Sequence, residues 1–136
     1  MNDSHTPRPT GRRIGAVVAG LLVIMVVSTA ADFVLHALGV FPPWDQRVPD
    51  PLLVLATAYR ILFGAAGGYL TARLAPDKPM THAVALGIVG IVLSTAGAVV
   101  TWNAGPQFEP KWYPLVLIAI AAPSAWLGGR LAGRAA

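Results

Sequence analysis

Residues 51–76, PLLVLATAYRILFGAAGGYLTARLAP, decide how this chain folds. The run has the length of one bilayer crossing, for which roughly 20 mostly apolar residues are needed. Arg60 sits inside it, Gly64, Gly67 and Gly68 follow, and Arg73 closes it. It reads as a membrane helix with a buried cation, a thin waist and a basic foot.

Three more runs of similar length surround it. Spans are expected at about 14–40, 51–75, 80–102 and 112–133, within one transmembrane domain over 14–136. The predicted class is all-α, an integral membrane four-helix bundle. Hydrophobic residues make up 55% of the chain and charged residues 12%, about half the charge a soluble domain carries. The formal net charge of +4 is not gathered with aromatics on a polar face. The cations stand at the ends of apolar runs, as lipid anchors do, so the bilayer is the expected partner and nucleic acid is not. With no cysteine, disulfides and thiolate metal sites are excluded.

Residues 1–13, MNDSHTPRPTGRR, read as a disordered basic tail. A signal peptide would share that basic start, but the apolar run after Arg13 is too long and lacks a small-residue cleavage site. Pro42 and Pro43 are expected to stop the first span, because proline lacks an N–H and restricts the residue before it. Of the ten Lys and Arg, seven (Arg8, Arg12, Arg13, Arg73, Lys78, Arg130, Arg134) fall on one side and two (Arg47, Lys111) on the other, with Arg60 between. The positive-inside rule then predicts both termini in the cytoplasm, with Trp44, Trp102 and Trp112 at the outer interface. Gly67-Gly68-Tyr69-Leu70-Thr71-Ala72-Arg73 and Gly128-Gly129-Arg130-Leu131-Ala132-Gly133-Arg134 are similar ends of spans two and four. That similarity suits two parallel-repeated helical hairpins, and it equally suits chance likeness between small-residue helices with basic feet.

Small residues recur at helical spacing: Gly64, Gly68 and Ala72 in span two, and Ala83, Gly87, Gly90, Ser94, Gly97 and Thr101 in span three. Lipid gives apolar helices no hydrophobic reason to associate, so such seams imply close backbone packing. A pore lined by small residues is the sharper alternative. Pro123 is expected to kink span four and free a carbonyl near Ala119.

The candidate binding residues are Asp32, Arg60, His36 and Tyr59. Asp32 and Arg60 are each fourteen positions from Gln46, the centre of the first loop. In an antiparallel hairpin they meet at one depth, roughly 12–14 Å from the outer helix ends at 1.5 Å per residue. A lone charge there costs about 2.5–3.5 kcal/mol, which pairing reduces. The pair is either a register clamp or a polar site, with Tyr59 and His36 beside it. His36 follows Asp32 by four residues on the same face, a spacing that admits a proton relay but is short of the ligands a metal needs. No nucleophile–base pair, phosphate loop or paired carboxylate occurs in the sequence, so no catalytic residue, metal or cofactor is expected.

The strings Ala58-Tyr59-Arg60, Gly67-Gly68-Tyr69, Ala72-Arg73-Leu74-Ala75-Pro76, Pro79-Met80 and His82-Ala83, with Thr101-Trp102-Asn103, Gly105-Pro106 and Lys111-Trp112-Tyr113-Pro114, resemble a family of small four-span bacterial inner-membrane proteins. That resemblance covers most of 32–130 and implies no activity, cofactor or partner. Small multidrug exporters need a mid-membrane glutamate in their first helix, and small fluoride channels a Phe- and Thr-rich motif; neither fits this chain.

Two functions follow. One is a non-enzymatic structural or accessory component, packed through its glycine seams against a membrane-protein partner or a second copy. The other is a small transporter or proton-coupled carrier using Asp32, Arg60 and His36. A carrier needs a water-accessible cavity reaching Asp32; an accessory bundle is closed there.

Overall fold

Proline stands in the first turn of two of the helices, at Pro51 and Pro79, where its missing N–H belongs to a turn whose donors have no helical partner anyway. The computed structural model describes residues 9–108 and 110–135. In it α1 spans Pro9–Ala37, α2 Asp50–Leu74, α3 Pro79–Thr101 and α4 Trp112–Ala135, with a short 3-10 turn at Pro106–Phe108. Each α-helix is long and apolar enough to cross a membrane, and no strand occurs among the described residues. The fold is an all-α four-helix bundle of membrane-spanning composition.

The boundaries differ from the sequence reading at α1. Residues 9–13, read as tail, belong to the helix, and residues 1–8 lie outside the described residues. Arg13 at this foot donates to Asp77 in the α2–α3 loop through Nε at 3.1 Å and Nη2 at 2.5 Å. That contact holds the Asp77 carboxyl below its usual range. Both side chains are exposed, so it orients the loop more than it stabilises the bundle.

At its other end α1 stops at Gly39 rather than at Pro42. Gly39 has φ 76°, a left-handed conformation that glycine adopts without strain. Its N–H bonds the His36 carbonyl at 3.1 Å and the Val40 N–H the Leu35 carbonyl at 3.0 Å, the paired bonds of a Schellman cap. The prolines direct the loop onward after the helix has ended.

Because α1 ends early, α2 projects beyond it and residues 38–49 fold back over the gap. Phe41 is buried there, while Trp44 stacks on His36 with ring centroids 3.5 Å apart and 7° between planes. Asp32 is therefore only five residues from the end of α1, roughly 7.5 Å at 1.5 Å per residue, shallower than symmetric loop counting implied.

Around the bundle the order is α1, α2, α4, α3, with α2 and α3 also touching across the short diagonal. Consequently α2 packs against α4, which runs in the same direction. Their crossing is reciprocal. A Cβ on Gly68 would overlap the Ala125 carbonyl, and one on Gly128 the Ala65 carbonyl, while Gly64 faces Ser124. On the flanks Gly20 sits against Thr71 and the Gly67 carbonyl, and a Cβ on Gly87 would come within 2.8 Å of the Ala122 Cα. Thr71, fully buried, donates to the Ala16 carbonyl at 2.8 Å. These glycines meet neighbouring helices at close range, so they form a packing seam, and Gly64 also borders a chamber described below.

The seam on α3 holds only in part. Gly87 and Gly90 meet α4, but Gly97 has nothing within 4 Å. There α3 and α4 separate around a cavity of about 320 Å³ between Ser94, Gly97, Thr101, Phe108 and Pro114. Helix α4 runs unbroken through Pro123, and the Ser124 hydroxyl bonds the Ile120 carbonyl at 2.6 Å.

Large apolar side chains such as Val26, Leu62, Val92 and Val100 point outward, forming the jacket a bilayer requires. Trp44 and Trp102 are exposed at one end, called here the aromatic end. The opposite, basic end carries two cation–aromatic pairs at i, i+4, Tyr69 with Arg73 and Trp126 with Arg130, which suit an interfacial anchor.

Candidate functional site

Three helices meet in a polar cluster toward the aromatic end. From α1, Asp32 accepts a hydrogen bond from Arg60 Nη2 of α2 at 2.7 Å and a second from the Tyr59 hydroxyl. From α4, the Tyr113 hydroxyl accepts from Arg60 Nε at 2.8 Å. The expected Asp32–Arg60 pair is present, and the side chains keep only 24% and 26% of their surface exposed. The guanidinium splits its fork between two helices instead of clasping the carboxylate with both arms. Among the described residues it uses two of its N–H donors, of the five a guanidinium has.

His36 is near the cluster without joining it. Its Nδ1 donates to the Asp32 backbone carbonyl at 2.7 Å, its face lies on Trp44 and its ring meets Phe41 edge-on at 5.2 Å. The His–Asp side-chain relay suggested by the spacing is therefore not formed. No group of three metal-capable side chains occurs among the described residues.

Two cavities share the cluster. A recess of about 170 Å³ runs from the loop residues Trp44, Gln46 and Gln107 down to Asp32, Tyr59, Arg60 and Tyr113. Arg60 also borders a chamber of about 120 Å³, lined by all four helices and including Ser28, Gly64, Gly90, Ser94 and Ser124. Ser28 is buried, and its hydroxyl is the buried side-chain polar atom left without a hydrogen-bond partner among the described residues.

Tyr113 and Ser28 were missed by the sequence reading. Ser28 was within reach, since Ser28, Asp32 and His36 recur every four residues on one face of α1. Tyr113 was not, because its role depends on α4 lying beside α2, which no spacing along the chain reports.

No protein-family model, curated protein or solved structure matches the chain.

Proposed function

We propose that this protein is a small, non-enzymatic carrier of the bacterial inner membrane that binds a polar solute at Asp32 and Arg60 and couples its passage to a proton. The supporting observation is the recess: the ion pair forms the floor of a cavity that begins among loop residues at the aromatic end. A clamp whose work is only to hold register has no need of such an opening. The chemistry follows from the pair. With Asp32 ionised, Arg60 is neutralised by its neighbour; with Asp32 protonated, the guanidinium is free to take a solute in its place. His36 and Trp44 wall the recess, while Tyr59 and Tyr113 steady the two charged groups. In this reading the termini are cytoplasmic and the recess faces out, as the distribution of Lys and Arg favours.

The cysteine-free chain allows a direct test. His36 is half-buried and lines the recess, so His36→Cys should react in intact cells with a membrane-impermeant thiol reagent. Leu35→Cys is the control, because Leu35 is the next residue on α1, equally half-buried, and lines a mostly apolar groove between α1 and α2 instead. Labelling at His36 alone supports an open, outward recess. Equal protection of both sites would refute it.

A second reading keeps support from the cavity beside Gly97. It is mostly apolar and occupies the part of the α3 seam that no described helix fills. An accessory protein would seat a partner helix there, and stoichiometric co-purification of one membrane protein would favour that reading.

A further inference from the structure

The chamber behind Arg60 has a composition of its own. Its lining contains one cation, three serine hydroxyls and apolar side chains, with no carboxylate. The Ser124 hydroxyl donates to the Ile120 carbonyl. The Ser28 hydroxyl, although buried, has no acceptor among the described residues. A buried hydroxyl without a partner is costly, and the cost disappears if the space beside it holds an acceptor. With about 120 Å³, against the roughly 10–15 Å³ one water needs by the same kind of measure, there is room for a small ion and some of its water. A guanidinium and an unpartnered hydroxyl are both donors, and the acceptor that suits them is an anion.

We propose that this chamber binds one small monovalent inorganic anion, of the size of chloride or nitrate, through Arg60 and Ser28, and that Asp32 competes with it for the guanidinium. This rests on the reading of Asp32 and Arg60 as a solute site and names the solute class. The competition has a definite sign. Removing the rival negative charge, as Asp32→Asn does, frees the guanidinium and should tighten anion binding, and by linkage a bound anion should weaken the Asp32–Arg60 pair. The other groups near Asp32 are His36 on its own helix, Tyr59 and Arg60 on α2, and Tyr113 on α4. Helix α3 contributes no titratable side chain to either cavity.

The test is thermal unfolding of the purified full-length protein in detergent, in sodium chloride, in sodium nitrate and in sodium gluconate at equal ionic strength. Gluconate is too large for the chamber. Chloride and nitrate should each raise Tm above gluconate. Ser28→Ala should weaken the apparent anion affinity about tenfold, the scale of one hydrogen bond to a charge. In gluconate its Tm should be equal to or above that of the parent, because the orphaned hydroxyl is gone. Asp32→Asn, where it folds, should bind chloride more tightly than the parent; where it does not, Ser28→Ala decides. Equal Tm values in the three salts, or an undiminished anion effect in Ser28→Ala, would overturn the site. The two proposals fail separately. An anion effect with His36→Cys unlabelled keeps the site and removes the carrier, and labelling without an anion effect does the reverse.

Discussion

Asp32→Asn or Arg60→Leu alone should destabilise the bundle by about 3 kcal/mol, toward the lower end of what breaking a buried ion pair costs. The residual exposure, 24% and 26% of the two side chains, is the reason for choosing the lower end. Each single change leaves a charge among apolar helices without its counter-ion. Replacing both, as Asp32→Asn with Arg60→Gln, removes both charges while leaving groups that can still bond Tyr59 and Tyr113. The double variant should therefore lose far less than the sum of the singles, and that coupling is what a double-mutant cycle measures. Tyr59→Phe and Tyr113→Phe each remove one hydrogen bond and should cost about 1 kcal/mol. Unfolding in detergent, followed by tryptophan fluorescence, reads all of these. Small, additive effects would mean that the charges do not meet.

The second large effect is at the α2–α4 crossing. Gly68→Ala and Gly128→Ala each place a methyl group where a carbonyl of the facing helix already lies. Neither clash can be relieved by rotating a side chain, so the helices must separate. Overpacking of this kind costs about 1–3 kcal/mol, and it removes the close approach that holds helices together in lipid. Tm should fall by several degrees for each, and further for isoleucine. Gly15→Ala and Gly97→Ala meet nothing within 4 Å and should be neutral or slightly stabilising. Gly90→Ala should be intermediate, since its Cβ would stand 3.2 Å from that of Ala121. Equal losses at Gly68 and Gly97 would place the contact elsewhere.

Much of this was legible in the chain. The apolar length of 51–76 and its three counterparts dictated four helices, because lipid accepts few other structures. Counting from Gln46 brought Asp32 to Arg60, since a hairpin makes residues equidistant from its loop neighbours. Spacing along one helix, however, reports which residues share a face and not which helix covers it. That limit hid Tyr113, whose contact with Arg60 requires α2 and α4 side by side. It also made the α3 seam look longer than it is: Ser94, Gly97 and Thr101 continue the pattern, but α4 has diverged at their level. The stop at Gly39 was overshadowed by Pro42 and Pro43, although a glycine two residues past the helix end is itself a termination signal. Arg13 and Asp77 are far apart in sequence and carry no pattern that pairs them.

The carrier reading is tested most directly in vesicles. Purified protein would be reconstituted with a trapped pH-sensitive dye, and small monovalent anions, organic cations and neutral amides added singly. Wild-type protein should move protons in response to one solute class, chloride and nitrate foremost, and the stable Asp32→Asn/Arg60→Gln variant should not. Absence of solute-dependent proton movement in the wild type, or the same movement in the double variant, would contradict the assignment of transport to this pair.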